Sequence, residues 1–389
     1  MSPTIALLVI IVPAWASLVA ATICALRFAR QPLPAVAEQP PISVLKPLHG
    51  AEPGLYQNLR SFAEQDYPAV QLVLGVNDPA DGAVPVVAGL RRDLPQADVA
   101  LVVDSRVHGE NRKVSNLENM LPAARHGILV LADSDMRVDR GYLRAVAAPL
   151  GDAHTGIVTC LYRGVSTGGI WSDLGALHIN FGFLPSALLA AALGLGGGCF
   201  GATIALRREI LDRIGGLARV HDELADDHRL GEAVQAQGLA VVLSRYLVDA
   251  QVSEPSFAGL WRHELRWART VRSITPLGFA GSFFAQPAAI AALGVAASGL
   301  RLTPCIVLAI TLALRWASAW VIAGALRIPV LGLWLLPARD ALSFAVFVAS
   351  FFGRTVFWRD QHFRVEPSGR MTVEEDKAHE DKAHGDEAL

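Results

Sequence analysis

Two long stretches of this 389-residue chain carry no charged side chain, and they lie towards its two ends. Residues 1–26 form one and residues 273–300 the other. A helix without charge over such a length cannot sit comfortably in water, and residues 5–26 alone reach across a bilayer at about 1.5 Å per residue. Only 18% of the whole chain is charged, against about 25% in a soluble globular protein, and the deficit sits in these stretches. Between them lie about 245 residues of ordinary composition, enough for one sizeable α/β domain. Disorder throughout, a disulfide scaffold and a purely soluble enzyme are thereby excluded.

The N-terminal stretch lacks a positive leader and is followed by Arg27 and Arg30. This is the pattern of an uncleaved signal anchor whose C-terminal side faces the cytoplasm. The C-terminal region holds three apolar stretches, near 277–299, 302–326 and 328–353. The third contains Pro337, Arg339 and Asp340, which predicts a re-entrant or interfacial pair of short helices, with the arginine-rich continuation returning to the cytoplasm. The expected organisation is an anchor at 1–30, a cytoplasmic catalytic domain at 31–275, membrane segments at 276–353 and a cytoplasmic tail at 354–389. The tail repeats Glu-Asp-Lys-Ala-His at 375–379 and 380–384 and reads as a solvated, disordered end. The formal net charge is −2, and +3 without the acidic residues 371–389, so no nucleic-acid partner is expected. Cys24, Cys160, Cys199 and Cys305 have neither disulfide nor zinc spacing.

In the middle domain, short apolar runs at 42–45, 71–76, 98–103 and 127–132 alternate with helical patterns at 54–65, 84–93, 115–126 and 140–149. Such alternation predicts a mainly parallel sheet, whose ligands gather beyond the carboxyl ends of its strands. Two strands deliver aspartates to that edge: Asp78 after the second, Asp133 and Asp135 after the fourth. Two carboxylates separated by one residue point the same way and suit Mg²⁺ or Mn²⁺ shared with a diphosphate. A turn rich in aspartate that caps the next helix would look the same. Asp226 and Asp227 open a further helical pattern, either to complement its dipole or to supply a general base.

Residues 260–273 place Arg262, Arg266, Arg269 and Ser273 on one helical face beside Trp261 and Trp267. That face suits anionic headgroups, and Arg266 also suits a leaving diphosphate. The glycine-rich run ending in Cys199-Phe200-Gly201 permits close backbone approach to a ligand, or simple flexibility. Arg315 stands in mid-segment, where a charge marks a functional site by default; a polar acceptor head or a pairing with Asp340 would each account for it.

Asp78, Asp133, Asp227 and His263-x-x-Arg266-Trp267 together resemble the D, D, D, (Q/R)xxRW pattern of membrane-bound GT-A-type glycosyltransferases. More closely, the chain resembles the ceramide glucosyltransferase-like family and, within it, the bacterial hopanoid biosynthesis-associated glycosyltransferases. Residues 41–50, 111–117, 201–208 and 353–359 carry the closer likeness, which runs from about 40 to 365. His263 departs from the pattern, which has Gln or Arg there. The resemblance implies a Rossmann-like nucleotide-diphospho-sugar transferase domain with an N-terminal transmembrane anchor and C-terminal membrane helices, in a bacterial inner membrane. It implies a UDP-sugar donor met by Asp78 and Lys113, a divalent metal on Asp133 and Asp135, and Asp227 as base. Arg266, Trp267 and His263 would complete the catalytic set, with Gly201 and Arg315 contributing to substrate binding. The acceptor would be a membrane lipid: a hopanoid polyol with UDP-N-acetylglucosamine, or ceramide with UDP-glucose. A processive polysaccharide synthase, which needs a translocation channel and usually more transmembrane helices than the three or four stretches here, and a non-catalytic nucleotide-sugar-binding scaffold stand as alternatives; six or more crossings would favour the synthase.

Overall fold

The computed structural model describes residues 3–32, 38–195, 198–330, 332–353, 355–358, 361–365 and 370–373; the Glu-Asp-Lys-Ala-His repeats lie outside them. The strands are β1 (Ile42–Pro47), β2 (Val70–Val76), β3 (Asp98–Val103), β4 (Ile128–Leu131), β5 (Met136–Arg137), β6 (Thr155–Thr159), β7 (Tyr162–Ser166), β8 (Ile204–Arg207), β9 (Ala240–Leu243) and β10 (Val248–Val252). Seven of them form one sheet in the order β3-β2-β1-β4-β8-β6-β9. β1 to β4 are parallel, as the alternation predicts, and β8 runs antiparallel between β4 and β6. β1 is buried on both faces, which explains its unbroken apolar run. Its neighbouring side chains enter different cores: Val44 joins Phe62, Leu74 and Tyr142 on one face, Leu45 joins Val73, Leu129 and Leu206 on the other.

Helices cover both faces: α1 (Pro3–Arg30) precedes the sheet, and α2 (Leu55–Ala63), α3 (Ala83–Asp93), α4 (Arg112–Met120) and α5 (Tyr142–Ala147) alternate with its strands. Next come α6 (Ile170–His178), α7 (Leu184–Ala192), α8 (Arg208–Arg213) and α9 (Asp226–Gln235). A second sheet, β5-β10-β7, starts directly after Asp135 and leads through β10 into α10 (Phe257–Ile274), the arginine-rich helix. α11 (Pro276–Gly281), α12 (Pro287–Ser298), α13 (Leu302–Leu326) and α14 (Leu336–Ser350) follow. A last antiparallel sheet, β11 (Thr355–Trp358), β12 (Gln361–Val365) and β13 (Met371–Val373), ends the described chain.

Among the described residues, four helical segments are long and apolar enough to cross a membrane: 4–30, 170–192, 302–326 and 333–350. The helices over 276–285 and 287–298 would make a fifth, bent by 69°. Two of these findings correct the sequence expectations. The break falls in the first C-terminal stretch, whereas 333–350 is one helical run. Pro337 sits in the first turn of α14, where its missing N–H leaves no gap, and both charges expected to interrupt it are paired. The apolar segment 170–192 lies inside the supposedly soluble domain, joined from α6 and α7 by a π-turn at Ile179–Phe183.

Trp15 Nε1 donates to Thr311 Oγ1 at 2.9 Å and Thr22 Oγ1 meets Ser318 Oγ at 2.7 Å. Both pairs are 296 residues apart, so α1 and α13 run parallel. α12 turns into α13 at Gly299 and packs back along α1, where a Cβ on Gly294 would come within 2.5 Å of Leu7. The carbonyls of Leu326 and Arg327, at the end of α13, accept from Arg163 Nη1 of β7 at 3.3 Å, which ties that end to the sheet domain.

α14 is held along α10 at both ends. Arg339 grips Glu264 with two bonds of 2.5 and 2.7 Å and donates to the Leu174 carbonyl; beyond the far end, Arg269 and Arg272 bond the carbonyls of Phe352 and Gly353. Arg339 is 1% exposed and Glu264 5%. Arg339→Met is expected to lower stability by about 3–5 kcal/mol because it strands a buried carboxylate. Arg339→Met with Glu264→Leu should recover most of that loss, read as the thermal unfolding temperature in detergent.

Candidate active site

The acidic turn sits where β4 ends. Its backbone is clamped from below by Lys46 of β1, whose ammonium donates to the Asp133 carbonyl at 2.6 Å and the Met136 carbonyl at 3.4 Å. The ammonium also lies 3.7 Å above the Phe62 ring. Lys46 is fully buried, and burial pulls its pKa down to about 7 against the opposing pull of Asp135, Asp133 and Glu52. Ser134 is held at its hydroxyl by Glu52 and at its carbonyl by Asn58. A rigid turn therefore presents Asp133 and Asp135. Burial, then the charges of Asp133 and Glu52, push the Asp135 carboxyl up to about 7.

The opposite wall is built from two helix starts. Asn111 caps α4 by accepting from the Val114 N–H, and its amide donates to the Glu223 carbonyl. Two residues after this cap, Lys113 reaches Asp133 Oδ1 at 2.8 Å and Asp226 Oδ2 at 3.4 Å. Burial alone would lower the Lys113 pKa, but Asp133, Asp226 and Asp227 outweigh it and hold the ammonium charged. Asp227, in the first turn of α9, accepts from the Gly201 N–H at 2.7 Å through Oδ2 and from its neighbour's N–H through Oδ1. Burial and Asp226 raise its pKa to about 6, opposed by Lys113 and by these two N–H groups. Gly201 marks the meeting point: a Cβ there would lie 3.3 Å from Lys113 Nζ and 3.4 Å from both Asp133 Oδ2 and Asp227 Oδ2. Of the residues singled out in the sequence, Lys113, Asp133, Asp135, Gly201 and Asp227 thus meet in one half-buried cleft.

Tyr162, at the start of β7, faces the same cleft. Burial raises its phenol pKa, reinforced by Asp227, Asp135 and Asp133 and opposed by Arg266. Arg266 of α10 is thus within electrostatic reach of Tyr162. Trp267, Tyr162 and Phe183 pack against one small cluster of Ala176, Ile179 and Val252, and the Trp267 ring meets His263 edge-on at 4.4 Å. His263 Nδ1 is bonded to Glu254 Oε1 at 2.7 Å. Asp78 stands at the end of β2 in a turn, where its side chain accepts from the Ala80 N–H at 2.8 Å. Arg315 lies apart, doubly bonded to Asp340 at 3.0–3.3 Å, which takes up one of the two alternatives for its charge. Arg269 and Arg272 bond backbone carbonyls of 351–355, so part of the basic face expected for headgroups is occupied by the chain itself.

Three cleft residues were missed. Lys46 had a signal, being the one charge in the buried run Ile-Ser-Val-Leu-Lys-Pro. Asp226 was noted only as a companion of Asp227, and nothing in its neighbours distinguishes Tyr162.

The chemistry of the donor set fits a divalent metal shared with a phosphate ligand. Asp133 and Asp135 offer hard oxygens, and among the described residues no group of three or more His, Cys, Asp or Glu could hold a metal by itself. The remaining positions would then fall to phosphate and water, the usual manner of Mg²⁺. Lys113→Met leaves Asp133, Asp226 and Asp227 facing one another unscreened. In metal-free buffer it is expected to cost about 1–3 kcal/mol at pH 8 and distinctly less at pH 5, where the raised Asp227 carboxyl takes up a proton. Thermal unfolding at the two pH values measures this.

The profile of glycosyl transferase family 21 matches residues 6–371. Ceramide glucosyltransferase 1 of Caenorhabditis elegans is 25% identical over 240 residues, 61% of this chain and 51% of that protein. Ceramide glucosyltransferase 3 of the same organism is 25% identical over 240 residues, 61% and 52%. The chain thus spans about half the length of the curated relatives it matches. In solved structures, the mannosyltransferase PcManGT of Pyrobaculum calidifontis, in complex with GDP-Man and Mn²⁺, superposes with a TM-score of 0.55 at 19% identity. That match covers 90% of this chain and 99% of that one, and shows the shared GT-A-type fold. Because the profile runs through the N-terminal helix, the acidic cleft and the C-terminal helices alike, the chain belongs to glycosyl transferase family 21.

Proposed function

We propose that this protein is an inverting glycosyltransferase that moves one sugar from a UDP-sugar to a hydroxyl of a membrane lipid. The convergence of Lys113, Asp133 and Asp227 on Gly201 carries this proposal. It places a cation and two kinds of carboxylate around one backbone N–H, beside helices apolar enough to sit in a bilayer. The acceptor is a hopanoid polyol with UDP-N-acetylglucosamine, or a ceramide with UDP-glucose; the names of the curated relatives support the second.

In this mechanism Asp133 and Asp135 would hold a divalent metal, which would supply positive charge to the diphosphate leaving group. Lys113 and Arg266 add cationic donors to the same diphosphate. Asp227 takes the proton from the acceptor hydroxyl as that oxygen attacks the anomeric carbon, and the bond to UDP breaks on the opposite face. Its raised pKa makes it a competent base near neutrality, and the Gly201 and His228 N–H groups fix its orientation. With Asp133 and Asp135 assigned to the metal and Asp226 paired with Lys113, Asp227 is left as the base of a single displacement with inversion. Asp78 meets the uridine.

The contacts of the helices support an arrangement in which α1, the bent 276–298 pair and α13 traverse the bilayer and α14 lies beside α10 at its surface. Arg370, just before β13, bonds Asp222 of the sheet domain at 2.9 Å, which favours a tail on the catalytic side. The four or five candidate crossings among the described residues stay below the six that would favour a processive synthase.

Membranes containing the full chain, given radiolabelled UDP-sugar and either lipid, are expected to yield label in one organic-extractable glycolipid. Asp227→Asn should reduce it by at least about 10³-fold, and EDTA should abolish it. Polymer at the chromatographic origin, or full activity in Asp227→Asn, overturns the proposal. Asp227 works only when ionised, so kcat/KM is expected to fall tenfold per unit below an apparent pKa near 6 and to level off above it.

A further inference from the structure

The chain between Tyr162 and Gly201 leaves the acidic cleft, runs through the apolar segment 170–192 and returns to the cleft. Gly201 at one end of this excursion hydrogen-bonds Asp227, and Tyr162 at the other lies within that carboxylate's electrostatic reach. Its far part belongs to the bilayer side: Phe181, Leu184 and Leu188 pack with Ala25 and Phe28 of α1 and with Ala319 and Ile322 of α13. Its near part belongs to the cleft side: Ala176 and Ile179 pack with Tyr162 and Trp267. Phe183 is common to both clusters. Its ring stacks on Tyr162 at 5.0 Å and meets Phe200 edge-on at 5.8 Å.

The π-turn at Ile179–Phe183 makes this geometry. A wide turn shifts the phase of the helix and is costly unless something outside holds it. Here Asn180 accepts from the Gly164 N–H and donates to the Gly164 carbonyl, both at 2.8 Å. Gly164 permits this approach, since a Cβ there would lie 2.8 Å from the Ala176 Cα. The helix is thus pinned two residues past Tyr162, with Phe183 turned towards it. Tyr162, Phe183, Phe200 and Trp267 are each partly buried, with part of each residue still accessible.

We propose that this aromatic wall, centred on Phe183, is the seat of the lipid acceptor, which reaches it from the bilayer along the 170–192 helix. The occupant is an amphiphile with a hydrocarbon body and a hydroxyl head. Flat rings continuous with the α1 and α13 contacts take the body, and the wall ends at the carboxylate that would accept the hydroxyl proton. The proposal rests on the transferase reading above and adds where the acceptor lies.

A long-chain 1,2-diol carrying a diazirine in its alkyl chain, in phosphatidylcholine vesicles with the full-length protein, tests the seat by binding alone. Irradiation is expected to leave adducts around Phe183, displaced by excess unlabelled diol. Adducts confined to the outward faces of α1 and α13, or not displaced, overturn the proposal. Phe183→Ala should raise the KM for the acceptor by about tenfold while the donor KM and hydrolysis of the donor by water stay within about twofold. Equal changes in donor and acceptor constants would likewise overturn it. Failure of the transferase reading is distinguishable, because it removes sugar transfer in the wild type and leaves the adduct map to decide the seat.

Discussion

Everything in the cleft depends on one ammonium placed between acids from distant parts of the chain. Lys113 joins Asp133, at the end of a parallel strand, to Asp226, at the start of α9 nearly a hundred residues later. Without a cation there, Asp133, Asp226 and Asp227 would repel one another in a setting that desolvates them. With it, the two halves of the sheet close over a space suited to a further anion. Lys46 performs the complementary task below, holding the acidic turn by its backbone carbonyls rather than by its carboxylates. The two lysines divide positioning from charge balance.

A second set of ionic contacts ties this cleft to the apolar helices. Arg163 caps the end of α13, Arg339 reaches Glu264 within the arginine-rich helix, and Arg269 and Arg272 hold the chain beyond α14. Each contact crosses from a sheet-domain element or α10 to a C-terminal one. A planar guanidinium with several donors is well suited to such joints, because it satisfies a carboxylate or carbonyls from a fixed direction. The acidic cleft and the apolar helices are therefore held in a defined relation, as the proposed transfer to a membrane lipid requires.

Much of this was legible without coordinates. The alternation of apolar runs and helical patterns identified the parallel strands, and the strand-end rule directed attention to Asp133 and Asp135. The order Asp78, Asp133, Asp227, Arg266-Trp267 pointed to the family. These succeed because backbone periodicity and strand-end placement are local properties, written in consecutive residues. The 170–192 helix escaped for the same reason: Asp173, His178 and Asn180 break its apolar run, and the burial that makes them acceptable comes from other segments. Pro337 and the charges after it misled in the opposite direction. They look like a break until Glu264 and Asp340 supply the partners.

The sequence alone therefore determined the class of fold, the membrane-seeking ends and the acids available for catalysis, since each is encoded within a few neighbouring positions. Only the tertiary structure decided which charges neutralise which, where the apolar helices bend, and that Gly201, Lys113 and Tyr162 face Asp227. Those are relations between residues tens to hundreds of positions apart, and pairing energies in a desolvated cleft depend on distances that no local pattern records.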